Sequence, residues 1–166
     1  LGSPGWKDRL DATQVAGFGA SKGGESLMLM AGAKLTVSVG LSSKQVMSDP
    51  RLKVITSYVP YFGQPFFPAF GRDQGGVDDM RPVPVLAISG TADTTAPLGT
   101  TEQAMRRLVQ SRILVALEGV EHGFDQASRD DIFTWTLQFL LAHAQDDRSA
   151  RATLQRMERV AGGGDD

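Results

Sequence analysis

The run Gln14-Val15-Ala16-Gly17-Phe18-Gly19-Ala20-Ser21-Lys22-Gly23-Gly24-Glu25-Ser26-Leu27-Met28-Leu29-Met30 decides how the rest of the chain is read. Its opening, Gln14 to Phe18, is a short apolar stretch broken at Gly19, which predicts a buried strand and then a sharp turn. From Lys22 to Ala33 small and long apolar residues continue without proline, and Gly32 closes the segment as a helix end does. The reading is strand, tight turn, helix, with Ser21 on the turn. A serine so placed is forced into a strained backbone with its hydroxyl above the sheet, and the glycines at 19 and 23 let helix and strand approach closely. The helix start also brings N–H groups and a positive dipole end to the same spot, so the Lys22 N–H is the expected oxyanion donor. Taken alone, Gly-x-Ser-x-Gly also fits an ordinary glycine-rich turn, and it is the strand and helix around it that point to a nucleophile.

Working outward, the β-branched stretch Leu52 to Val59 follows the turn signal Asp49-Pro50 and predicts a second strand. Its end opens into a loop, Pro60 to Arg81, rich in proline, glycine and aromatic residues. Val83 to Ser89, fenced by Pro82 and Gly90, reads as a fully buried parallel strand. A helix over Thr101 to Gln110 with Met105 and Leu108 inward, a strand over Ile113 to Leu117 and an apolar helix over Asp130 to Ala144 follow. This alternation predicts an α/β fold, a doubly wound, mainly parallel sheet with helices on both faces. Residues 1–145 form that unit, and 146–166 a charged terminal helix (146–160) and a tail.

The gross numbers narrow the function classes. The 166 residues suit one domain with a sizeable core, and 41% hydrophobic with 22% charged residues is ordinary for a globular chain. A net charge of −2, from 17 basic and 19 acidic residues, provides no field for nucleic acid or an anionic membrane surface. No stretch is apolar for long enough to span a bilayer. Cysteine is absent, which removes disulfides, thiolate metal sites and a cysteine nucleophile. No metal site and no cofactor are expected.

A serine hydroxyl attacks only when a positioned base takes its proton, and the chain has two histidines. His122, in Glu118-Gly119-Val120-Glu121-His122-Gly123-Phe124, directly follows the last predicted strand, where a side chain reaches back over the carboxyl edge of the sheet. His143 lies near the end of a helix and reads as a solvated or dipole-facing residue. The base needs a carboxylate, and Asp93 stands just past the buried strand Val83 to Ser89 in Gly90-Thr91-Ala92-Asp93-Thr94-Thr95-Ala96-Pro97. Asp125 is nearer to His122 in sequence but better suits a helix cap, and Asp73, Asp78 and Asp79 read as solvated loop charges. Tyr61, Phe62, Phe66, Phe67 and Phe70 follow a strand end expected near Ser21, where aromatic rings serve either as ordinary packing or as a rest for an acyl or aromatic substrate, with Tyr61 and Phe62 the candidates.

The three stretches Gly-Ala-Ser-Lys-Gly-Gly, Gly-Thr-Ala-Asp-Thr-Thr-Ala-Pro and Gly-Val-Glu-His-Gly-Phe together resemble the α/β-hydrolase superfamily, and within it the dienelactone-hydrolase-like and polyester-hydrolase-like serine esterases. The resemblance covers residues 14 to about 144. It implies a serine hydrolase acting on a carboxylic ester, of small-molecule or polymeric kind, through Ser21, His122 and Asp93. The same triad serves amide and peptide hydrolases, and a non-catalytic binding or dimerising module on this fold is the reading from another class. Ala20 stands where many relatives carry histidine, Lys22 where a hydrophobic residue is common, and the lack of cysteine argues against dienelactone hydrolysis itself. Relatives place several strands before the nucleophile turn, whereas here only about 13 residues precede the strand that leads into it. The resemblance therefore implies the C-terminal half of such a fold, completed by a missing N-terminal segment that supplies strands, the second oxyanion donor and any targeting signal. A homodimer is a further option, and the compartment is left open.

Overall fold

The structure, a computed structural model, describes residues 5, 9–37, 42–63, 77, 80–124 and 126–157. Apolar stretches without polar alternation become strands covered on both faces, and the helices between them supply the cover. In chain order the elements are β1 (Val15–Ala20), α1 (Lys22–Met30), β2 (Lys34–Val37), β3 (Ser42–Gln45), β4 (Leu52–Tyr58), β5 (Val85–Gly90), α2 (Leu98–Arg106), β6 (Arg112–Leu117), α3 (Arg129–Ala144) and α4 (Arg148–Leu154).

Four strands make one sheet in the order β1-β4-β5-β6, and each adjacent pair is parallel. In a parallel sheet every strand ends on the same edge, so the loops after β1, β4, β5 and β6 gather there, bringing Ser21, Tyr61, Asp93 and His122 to one side. Successive side chains of each strand point to opposite faces. Ile55, Val85 and Ala87 pack with Met28 of α1 and Ala104 and Met105 of α2. Val54, Tyr58, Leu86 and Ile88 pack with Trp135 and Phe139 of α3 and with Ala150 and Leu154 of α4. With helices on both faces of a parallel sheet, the protein has an α/β fold. The short helix α4, capped by Asp147 whose carboxylate accepts the N–H groups of Ser149 (2.7 Å) and Ala150 (3.1 Å), is tied by these contacts to the α3 core.

Several boundaries move. β1 runs on through Gly19 to Ala20, where a break was expected, because the glycines make room for α1: a Cβ on Gly19 would stand 2.6 Å from Gly23 O. α1 stops at Met30 and Gly32 takes φ 102°, with Gly32 N–H donating to Leu29 O and Ala33 N–H to Met28 O, both at 3.0 Å. That pair of bonds is a Schellman ending. α2 starts at Leu98, earlier than expected, directly after Pro97, whose fixed φ suits a helix entry, and it ends at Arg106 although Leu108 is still buried. The antiparallel hairpin β2–β3 was not anticipated, because Ser42-Ser43-Lys44-Gln45 carries no apolar alternation. Among the described residues between β4 and β5 none is helical.

The outer side of the sheet at β1 is apolar. α3 carries no dominant polar side, since Phe133 is 66% exposed, and Phe133, Ile132 and Thr136 line a cavity of about 190 Å3 with Phe18, Phe124 and Arg129. Among the described residues no strand pairs with the free edge of β1.

Candidate active site

Ser21 occupies the turn between β1 and α1 with φ 53° and ψ −118°, a backbone that L-residues rarely adopt and that costs on the order of 1–3 kcal/mol. The strain is held from below by β4: Ser21 N–H donates to Tyr58 O (2.9 Å), while Ser21 O accepts from Gly24 N–H (3.1 Å) and Tyr61 N–H (3.2 Å). Ser21 is the N-cap of α1, but its hydroxyl caps nothing. Instead, Ser21 Oγ lies 3.0 Å from His122 Nε2. The expected steric reason for two flanking glycines is half right. Gly19 and Gly24 are the crowded positions, Gly24 because a Cβ there would meet Ser57 Oγ and Pro60 Cβ at 3.0 Å, whereas Gly23 faces open space.

His122 Nδ1 is 2.8 Å from Asp93 Oδ2. A carboxylate only accepts, so the imidazole donates through Nδ1, and Nε2 is left to accept the Ser21 hydroxyl proton. Asp93 has a wholly buried side chain. Its other oxygen accepts the N–H groups of Thr95 (2.8 Å) and Ala96 (2.7 Å), so both oxygens are engaged and the carboxylate is fixed in direction. Ser21, His122 and Asp93 thus come together from loops that follow three different strands.

The two loops that carry Asp93 and His122 are bolted to each other. Thr91 N–H donates to Leu117 O (3.0 Å), Ala92 N–H to Val120 O (3.1 Å), and Gly119 N–H to Thr91 Oγ1 (2.9 Å). Gly90 allows this, because its hydrogen faces the Val120 backbone: a Cβ there would be 2.7 Å from Val120 C. Beyond the histidine, the Tyr58 hydroxyl donates to Gly123 O (2.7 Å) and the Tyr58 ring lies against Phe124 with centroids 4.5 Å apart. Thr91 and Tyr58 were given no role in the sequence reading, and Gly90 only that of ending a strand and opening the aspartate motif. Their only signals there were a strand-end glycine and a strand-end tyrosine, which are common.

The remaining expected residues separate. Tyr61 stands edge-on to His122, with ring centroids 5.7 Å apart and planes at 82°, and so flanks the base. Phe62 is fully buried in the core with Met28, Ile55 and Val77, and offers a substrate no surface. Lys22 opens α1, so its backbone N–H stands at the helix start beside Ser21. His143 stands in the last turn of α3, the dipole-facing place expected for it, and is half-buried rather than fully solvated: it packs against Phe139 at 4.5 Å, and burial, then the Arg151 charge, hold its pKa below the usual value. Asp125, Asp73, Asp78, Asp79, Phe66, Phe67 and Phe70 lie outside the described residues.

Glu25, in the first turn of α1, is buried, and desolvation pushes its carboxyl up to about 7 although the Lys22 charge pulls the other way. Among the described residues no three histidine, aspartate or glutamate side chains cluster as metal ligands, and no helix is long and apolar enough to cross a membrane. Compared with known proteins, the sequence matches no family model, and no curated protein matches it.

Proposed function

We propose that this chain carries the catalytic triad of a serine hydrolase of the α/β-hydrolase type, acting on a carboxylic ester. One observation carries the reading: the unbroken line Ser21 Oγ to His122 Nε2 at 3.0 Å and His122 Nδ1 to Asp93 Oδ2 at 2.8 Å. Nothing in the packing of a parallel sheet requires these groups to meet, whereas nucleophilic acyl transfer requires each of them.

In the proposed mechanism Ser21 Oγ attacks the ester carbonyl carbon as its proton passes to His122 Nε2. Asp93 keeps the ring oriented and stabilises the imidazolium. The oxygen that becomes negative is met by the Lys22 N–H at the positive end of α1. Collapse of the intermediate expels the alcohol, which takes the proton from Nε2 and leaves an acyl group on Ser21. Water then attacks that acyl group, with His122 as base, releasing a carboxylic acid and restoring the serine. Tyr61 would border the incoming ester.

The edge of β1 on which no described strand pairs, and the exposed Phe18, Phe124 and Phe133 beside it, support the further expectation that additional strands complete the sheet there. The test of the triad is covalent. A fluorophosphonate probe is expected to label the protein on Ser21, with peptide mass mapping as readout, and Ser21→Ala is expected to abolish labelling and lower ester turnover by about 10⁴-fold or more. A folded protein that stays unlabelled overturns the reading.

A further inference from the structure

We infer that Tyr58 is the positioning residue that sets the distance between nucleophile and base, an inference that rests on the hydrolase reading. Tyr58 is the last residue of β4 and is fully buried. Its carbonyl accepts the N–H of Ser21 at 2.9 Å, and its hydroxyl donates to the carbonyl of Gly123, the neighbour of His122, at 2.7 Å. A single residue on a central strand therefore holds both sides, the strained serine turn through its backbone carbonyl and the histidine loop through its side chain.

The histidine loop needs such a hold. Glu121, Gly123 and Phe124 are exposed, and Gly119 turns the chain at φ 70°. Ahead of His122 the loop is fixed by Thr91 and Ala92, which grip Gly119 and Val120. Past His122 the hold comes from Tyr58, through its hydroxyl on Gly123 and its ring against Phe124. Clamped on both sides, the imidazole meets Ser21 Oγ on one nitrogen and Asp93 on the other. With the second clamp open, the loop can rotate about its Gly119–Val120 base, and the Ser21–His122 contact, at 3.0 Å the longer of the two bonds to the ring, is the first to lengthen.

A tyrosine that merely finds an acceptor for a buried hydroxyl would affect stability and nothing else. Tyr58→Phe separates the two roles, since it keeps the ring and its contact with Phe124. The expected result is a kcat for 4-nitrophenyl acetate lowered about tenfold to a hundredfold with KM within about twofold of wild type. Fluorophosphonate labelling of Ser21 is expected to slow to the same extent, and solvent exchange of the His122 Nδ1 proton, followed by NMR of the histidine-labelled protein, to quicken about tenfold. Placing 4-aminophenylalanine at position 58 restores a donor and is expected to recover most of the rate. Unchanged ring-proton exchange and labelling in Tyr58→Phe overturn the inference, whatever happens to thermal stability. If the wild-type protein is never labelled, the hydrolase reading fails, while the ring-proton comparison still decides what Tyr58 does.

Discussion

Replacing Gly90 with alanine tests the way two loops are joined to make one site. The new Cβ would run first into Val120 O, and would stand 2.7 Å from Val120 C and 3.1 Å from Val120 Cβ. Carbon atoms in contact settle near 3.5–4.0 Å, so the Val120 backbone has to retreat by about 1 Å. That retreat weakens the bond from Ala92 N–H to Val120 O and carries His122, two residues on, away from both its partners. Overpacking costs about 1–3 kcal/mol and the weakened hydrogen bond about 1 more, so a loss of about 2–4 kcal/mol is expected. For a domain of this size that is a fall of about 4–16 °C in Tm. A 1 Å displacement of the base is worth about a hundredfold in rate. The assay pairs thermal unfolding with the rate of fluorophosphonate labelling at a temperature where both proteins are folded. A Gly90→Ala protein with wild-type Tm and labelling rate refutes the reasoning, and one with lowered Tm but an unchanged labelling rate shows that the histidine loop is not positioned through Val120.

Glu25 makes stability depend on pH. Its folded pKa, about 7, lies above the ordinary 4.5, so between those values the folded protein holds a proton that the unfolded chain has lost. The carboxyl therefore opposes folding increasingly as pH rises from about 4.5 to about 7, and no further above that. After allowance for water at the helix start the effect is about 1–2 kcal/mol, and Glu25→Gln is expected to gain that much on wild type in urea unfolding at pH 8 relative to pH 5. An equal difference at both pH values contradicts it. Arg81 braces the turn before β4, donating to the carbonyls of Asp49 (2.5 Å), Pro50 (3.1 Å) and Leu52 (3.3 Å). Arg81→Ala is expected to cost about 2 kcal/mol in urea unfolding, and Arg81→Lys to recover little of it because one ammonium cannot reach all three oxygens. Full recovery by lysine would show that only the charge matters.

Much of this protein is written locally. The turn at Ser21 was legible because a strand, a small-residue turn and a helix are each short-range patterns, and their junction leaves few conformations. The β-branched stretch of β4 and the continuous apolar run of β5, alternating with helices, pointed to a parallel sheet, and the place of Asp93 and His122 just past strand ends put both on its carboxyl edge. The hairpin β2–β3 was not legible, because polar strands carry no periodic signal. Nor was the extension of β1 through Gly19, where the packing of α1 outweighs the tendency of glycine to break a strand. Phe62 and Tyr61, neighbours in a loop, had the same reading in the sequence, and only packing separated them, sending one into the core and leaving the other beside His122.

The sequence by itself determined the strands of the parallel sheet and the helices against it, the edge on which Ser21, Asp93 and His122 stand, and which histidine and aspartate to consider. The distances that make them one hydrogen-bonded line were decided by the tertiary structure. They depend on contacts between residues far apart in the chain, Tyr58 with Gly123 and Gly90 with Val120, and such contacts exist only once β4, β5 and β6 lie side by side.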